Sequence, residues 1–285
     1  MKAILAHIAG GDLDEAVLTA ALSIARLFGS RIEALHTRLD PSELSLLVNG
    51  ESLAASVPEL AAAIERDAEQ LSRSARTHFD QWRAAHSVAD AEAGGTGTGP
   101  SALWRETRGA PQRAIARHGR LSDLIVFGRA VDAASGQSRA ELEAALFDCG
   151  RPVLLVPRGS GAINLGTVMV AWNASLEAAR TIGLVMPILA AASRIIVVTA
   201  AEGDIAASES EALVGYLGLH GLQATAQTIE PGGALGERFL GAARNAQADL
   251  FVMGAFTRSR MRQLIFGGVT RHMLEAADLP VLMSR

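Results

Sequence analysis

Two blocks of this chain occur twice. Asp123-Leu-Ile-Val-Phe-Gly128 returns as Asp249-Leu-Phe-Val-Met-Gly254, and Pro152-Val-Leu-Leu-Val156 returns as Pro280-Val-Leu-Met283. Gly128 precedes Pro152 by 24 residues and Gly254 precedes Pro280 by 26, so the spacing is kept with the residues. Each block is an apolar run of strand length closed by a glycine, followed by a helical stretch and a second apolar run. Strands that alternate with helices in this way predict parallel-sheet α/β domains, and the repeat predicts two of them. We place them at residues 1–158 and 166–285, with a short glycine-rich linker at 159–165. Right-handed crossovers then put helices on both faces of each sheet.

The rest of the chain fits the same alternation. Strands are expected at Lys2–Ile8, Arg31–Thr37, Ala102–Arg108, Asp123–Gly128 and Pro152–Pro157 in the first half. Helices are expected at Leu13–Phe28, with Asp12 as its cap, and at Pro58–Ala85, Ala110–Arg117 and Arg139–Phe147. Asp40–Val57 reads as a surface excursion and Gly94–Pro100 as a flexible connection. The second half gives strands at Thr167–Trp172, Arg194–Thr199, Gln223–Ile229, Asp249–Gly254 and Pro280–Met283. Its helices are expected at Leu176–Leu189, capped by the Asn173-Ala-Ser175 turn, and at Ile205–Leu219, Ala234–Ala246 and Val269–Ala277.

Composition excludes several classes. With 49% hydrophobic and 20% charged residues the chain is globular, and a net charge of −4 argues against general nucleic-acid binding. Cys149 is the only cysteine, so no intrachain disulfide framework exists, and its place beside an apolar run predicts a buried, inert thiol. No apolar run approaches the ~20 residues of a membrane span, and no signal segment opens the chain, so a cytoplasmic location is expected.

The chemistry is concentrated between Asp249 and Arg271. A strand ends at Gly254, an arginine-bearing loop follows, and Gly267-Gly268 opens a helix. Free N–H groups at a helix N-terminus, with glycines that let a ligand approach, favour a phosphate. From Gly159 onward four of the nine basic residues lie in or beside this loop: Arg258, Arg260, Arg262 and Arg271. Arginine suits phosphate geometry.

This stretch resembles the nucleotide loop of the universal stress protein family, whose pattern is Gly, two residues, Gly, nine residues, then Gly followed by Ser or Thr. Gly254 and Gly267 match the first and third glycines with the spacing intact; Thr257 stands at the second glycine and Gly268 at the Ser or Thr, with Thr270 close behind. The resemblance covers the whole chain as a tandem pair. It implies flavodoxin-like or HUP-type domains, each a five-stranded parallel sheet whose first and fourth strands flank the ligand crevice. It further implies ATP or AMP in the second domain, held by Ala171, Asn173, Val198, Gly254, Thr257, Arg258, Gly267, Gly268, Val269 and Thr270. The family usually has Asp where Asn173 stands, so a metal ion is not expected. Val198 and Thr199 also read as core, and Trp172 as a packing residue.

The first half differs in chemistry. The glycine pair is absent, and Glu141 and Glu143 fall near the equivalent helix start, where they would repel phosphate; a pseudo-site that serves packing is expected. His7 and His36 lie near the ends of the first two strands and are expected at one polar crevice edge. His272 is expected to face solvent. No nucleophile–base pair, lysine-bearing phosphate loop or metal-ligand motif is recognisable, so any enzyme activity is at most a slow ATPase. Two functions follow: a nucleotide-binding stress-response or regulatory protein, or a scaffold acting through dimerisation surfaces. The apolar closing runs Val153–Val156 and Val281–Met283 are the expected pairing edges, within the chain or in a homodimer.

Overall fold

The computed structural model describes residues 1–40, 57–91, 99–129, 139–200, 204–230, 234–255 and 268–285. The expected excursion after Asp40, most of the Gly94–Pro100 connection and the loop from Phe256 to Gly267 lie outside them. In chain order the elements are β1 (Ala3–Ile8), α1 (Asp14–Phe28), β2 (Arg31–Arg38), α2 (Val57–Ala85), β3 (Ala89–Asp90), β4 (Ser101–Arg108), α3 (Pro111–Gly119), β5 (Leu124–Gly128), α4 (Arg139–Asp148) and β6 (Val153–Val156). The second half continues with β7 (Thr167–Ala171), α5 (Leu176–Ala190), β8 (Arg194–Ala200), α6 (Asp204–Leu219), β9 (Ala224–Ile229), α7 (Leu235–Asn245), β10 (Leu250–Gly254), α8 (Gly268–Ala276) and β11 (Val281–Ser284).

Each half is a parallel five-stranded unit in the same order, third–second–first–fourth–fifth. It reads β4-β2-β1-β5-β6 in the first half, where the two-residue β3 adds an outer edge, and β9-β8-β7-β10-β11 in the second. The strand order reverses between the first and fourth strands, as expected. The closing strands pair with each other: β6 and β11 run antiparallel, with Leu154 opposite Leu282. That pairing through the closing runs was expected. Two separate sheets were also expected, and here the structure corrects the sequence reading. The joint fuses both units into one sheet of eleven strands. An apolar four-residue edge left unpaired would be a template for aggregation, and each closing strand covers the other.

Helices cover both faces of this sheet. One face carries α1, α2, α5 and α6 over a core containing Val17, Leu22, Phe79, Ile182, Val185 and Leu217; the other carries α3, α4, α7 and α8 over Ile115, Ala145, Phe239, Leu240 and Met273. Corresponding helices of the two halves share a face, so the halves are related by rotation about an axis normal to the sheet. The segment between the halves is tied to the core: Ile163 and Leu165 are buried, and the Ile163 N–H donates to Ser23 Oγ at 3.0 Å.

The repeated residues now have physical reasons. Asp123 accepts from the backbone N–H of Ala3 and Asp249 from that of Thr167, so each aspartate fixes the start of its half's first strand. Pro152 and Pro280 each offer a carbonyl to the fourth strand, at Ile125 and Phe251. Gly29 ends α1 with φ +59°, a left-handed conformation that glycine adopts without penalty. The cap expected of Asp12 is not formed. Asp12 pairs with Arg158, while Asp14 reaches back to accept from the N–H groups of Ala9 (3.0 Å) and Gly10 (2.9 Å). At α5 the expected cap is present, with Ser175 Oγ accepting from Ala178 N–H at 3.2 Å.

Candidate functional site

Ligands in open parallel sheets bind beyond the carboxyl ends of the strands where the order reverses. In the second half that point lies between β7 and β10. Ala171 is opposite Met253 on one side and Val198 on the other, so Ala171, Val198 and Gly254 stand on three adjacent strand ends. Val198 has no exposed surface, and its carbonyl accepts from Trp172 N–H at 2.9 Å; its side chain belongs to the core. Asn173 is exposed, and its Oδ1 accepts from Ser175 N–H at 3.2 Å. Ala174 follows with φ +51°.

Gly254 meets a packing requirement. A Cβ there would come within 2.6 Å of Ala178 N and 2.9 Å of its Cα, so the bare glycine admits the first turn of α5. Gly128 stands in the same relation to Leu13, with a Cβ 2.7 Å from the Leu13 Cβ. Gly268, Val269 and Thr270 form the first turn of α8; a Cβ on Gly268 would meet open space, and Thr270 is buried. No acidic residue occupies that turn. Thr257, Arg258 and Gly267, like Arg260 and Arg262, lie outside the described residues. His272 was expected to face solvent, but it is half-buried and its ring packs where Gly236 of α7 leaves room.

Two polar atoms beside this crevice are buried with no partner: Trp172 Nε1 and Thr199 Oγ1. Side chains alternate along strands, and both residues fall on the α5 and α6 side of the sheet. A buried polar group left unsatisfied costs about 1–3 kcal/mol. Such atoms fit a ligand that supplies an acceptor to the indole and a partner to the hydroxyl. Among the described residues no group of three or more His, Cys, Asp or Glu is placed to hold a metal ion.

The equivalent position in the first half is a cavity of about 270 Å³. His7 and His36 both line it, as their strand positions led us to expect, and Glu141 from the first turn of α4 completes the group. His7 Nε2 lies 3.5 Å from Glu141 Oε2, and its ring stacks on Phe127 with centroids 4.5 Å apart. Burial, and then the neighbouring His36, push the His7 pKa down to about 3, so the ring is neutral. Burial also lowers the His36 pKa. His36 Nδ1 is 2.9 Å from the Ile8 carbonyl, which can only accept, so Nδ1 carries the proton and Nε2 is left as an acceptor. Glu143 is half-buried and pairs with Arg139 at 3.0 Å.

Helix α2 roofs this cavity, which the sequence pattern did not reveal. Leu71 lies against Gly10, whose φ is +87° and whose absent Cβ would overlap the Leu71 side chain. Glu65 pairs with Arg38 and Arg108, and Ser72 donates to Glu106. Ser72, Ala75, Phe79 and Trp82 face inward at helical spacing, and Phe79 packs on Trp104 with centroids 5.6 Å apart.

Residues 166–285, from just before β7 through β11, match the universal stress protein family model. This part of the chain is similar to universal stress protein domains. The whole chain has the fold of solved universal stress proteins. One from Archaeoglobus fulgidus DSM 4304 is 16% identical, with a TM-score of 0.70 over 99% of this chain and 98% of that one. A putative universal stress protein from Pseudomonas aeruginosa UCBPP-PA14 is 17% identical, with a TM-score of 0.57 over 100% of this chain and 93% of that one. No curated protein matches the sequence. The universal stress protein match contains the crevice of β7, β8 and β10, the orphaned Trp172 and Thr199 and the first turn of α8.

Proposed function

We propose that the chain is a tandem universal stress protein, with units at 1–158 and 166–285, whose second unit binds an adenine nucleotide, ATP or AMP, in a stress-response or regulatory role. The reading rests on one juxtaposition. Two orphaned buried polar atoms, Trp172 Nε1 and Thr199 Oγ1, flank the strand crevice, and the helix that follows β10 opens with an exposed glycine and no acid. The adenosine part fits the crevice beside Ala171, Asn173 and Val198. The phosphates fit the α8 N-terminus at Gly268, Val269 and Thr270, where free N–H groups and the helix dipole favour an anion. The loop spacing from Gly254 through Thr257 to Gly267 supports the same ligand, with Arg258 supplying charge.

Asn173 favours a second reading, an interaction scaffold without nucleotide. Its Oδ1 is already used in the turn before α5, and Gly254 is explained by packing alone. Mass spectrometry of small molecules released from the purified protein separates the two, with calorimetric titration by ATP and AMP. Released or titratable adenine nucleotide supports the first reading, and its absence from both measurements supports the scaffold.

A further inference from the structure

The sheet ends in two outer edges of unlike kind. At one end β3 is two residues long, and its Asp90 pairs with Arg83 at 3.2 Å. A short strand with a charged side chain is a defended edge. At the other end β9 runs for six residues, Ala224–Ile229, with no charged residue and no proline. Its register with β8 is unbroken from Ala224 opposite Ile195 to Ile229 opposite Ala200, so no bulge turns it away. Among the described residues no strand pairs with its outer side. Every second residue of such an edge turns an N–H and a C=O outward, and Thr225, Ala226 and Thr228 are exposed. The edge is thus open and uncharged over ~20 Å, long enough to take another strand.

We propose that β9 is the interface of a homodimer, in which two copies of the chain pair their β9 strands antiparallel about a twofold axis and continue into one sheet. The chain already uses this joint once, since β6 and β11 pair antiparallel and edge to edge about the axis that relates its halves. Those closing strands are therefore used up within the chain, and β9 is left to join one chain to another. An axis normal to the sheet keeps each side chain on its own face, so β9 meets its copy centred on one residue, Ala226 or Gln227. In neither register do like charges meet: the exposed Glu230 falls opposite Leu222 in the first and Ala224 in the second. Thr225 faces Gln227 or Ile229, a hydrogen-bonding pair or a β-branched one. A second copy is the occupant that fits, because self-pairing covers both open edges at once. The outer edges of the pair are then two short β3 strands, so the assembly closes at two chains. The interface is independent of the nucleotide reading, since β9 is not one of the three strands that form the crevice.

The test is the mass of the full chain in solution, by sedimentation equilibrium across the micromolar range. Wild type should have twice the chain mass. Ala226→Lys combined with Thr228→Lys sets lysine opposite lysine in both registers and should give a monomer, and so should Ala226→Glu combined with Thr228→Glu. Both positions are exposed, so both variants should keep the circular dichroism spectrum and melt cooperatively. Mixed in equal amounts, the two variants should recover the dimer mass, because lysine then faces glutamate. A monomeric wild type overturns the proposal, and one that captures an unrelated extended peptide, read by fluorescence anisotropy, assigns the edge to a foreign strand instead. A lysine variant that stays dimeric places the interface elsewhere and overturns it as well. So does an equal mixture that stays monomeric, or a wild-type mass above two chains.

Discussion

Leu154 and Leu282 are direct partners across the antiparallel joint, and neither has more than 1% of its surface exposed. Each half thus completes the other's core edge, and the two should unfold as one. Leu282→Ala should cost about 2–5 kcal/mol, the range for truncating a buried leucine. Urea unfolding followed by fluorescence checks the coupling. Trp82 and Trp104 report on the first half and Trp172 on the second. All three should respond at one midpoint in the wild type and in the variant; loss of the Trp172 signal alone would show that the halves are independent.

The glycines that end β5 and β10 tolerate substitution unequally. A Cβ at residue 254 meets backbone atoms of Ala178, which move only if α5 moves, whereas one at residue 128 meets the side chain of Leu13. Gly254→Ala should be the costlier change, in the ~1–3 kcal/mol range of overpacking, and Gly128→Ala milder. Thermal melts of both variants decide the order, and the reverse order would mean that the α5 start is more compliant than its packing indicates.

Thr199 separates stability from binding. Thr199→Val removes a buried hydroxyl without a partner, so the ligand-free protein should gain about 1 kcal/mol or more in urea unfolding. If the hydroxyl serves a nucleotide, affinity should fall in the same variant. A variant that is more stable and binds ATP unchanged would remove Thr199 from the site.

His7 and Asp14 drive stability in opposite directions with pH. The folded pKa of His7, about 3, lies below its ordinary 6.5, so between these values the unfolded chain holds a proton that the folded chain lacks. Stability from this group is therefore lost as pH falls below 6.5, by about 1.4 kcal/mol per pH unit. Burial pushes Asp14 from 3.8 up to about 7, so its effect is reversed, and stability is lost as pH rises between those values. The two slopes oppose each other between about pH 4 and 6.5. His7→Gln should leave a protein that weakens as pH rises through this window, and Asp14→Asn one that weakens on acidification. Denaturant midpoints at several pH values test both; parallel curves for the two variants would refute the assignment.

Ala174 holds φ +51° with no glycine to ease it. Ala174→Gly should therefore stabilise the protein by up to about 1 kcal/mol, since a Cβ in the left-handed region costs ~1–2 kcal/mol and glycine returns part of this as chain entropy. A melting temperature at or below that of wild type would show that the turn before α5 carries no such strain.

The α/β alternation and the pairing of closing runs were legible because buried parallel strands leave uninterrupted apolar runs, and Asp123, Gly128 and Pro152 mark their ends twice over. The single fused sheet was not drawn from that pairing, because the repeat and its linker read as two closed units, whereas an antiparallel joint between two edge strands carries the hydrogen-bond ladder straight across. The Asp12 cap failed for a related reason. Two aspartates flank the helix start, and which one turns toward the backbone depends on Arg158, far along the chain. His7 and His36 were found together because strand ends converge on one edge. The roof over them was not found, since Arg38, Glu65 and Arg108 are joined only by the folded path of the chain. Glu141 was read as a charge that repels; its contact with His7 required knowing how α4 lies on β1.

Strands run parallel within each half and antiparallel at the joint, so the carboxyl ends of the two halves point in opposite directions. The first-half cavity and the second-half crevice therefore open at opposite ends of one slab. No small molecule bridges them, and a protein gripping one end leaves the other accessible. Any communication between the two must pass lengthwise through the sheet, across β6 and β11, strands of only ~13 Å each. The molecule is in this sense two-ended, with the cavity of one half and the crevice of the other facing away from each other.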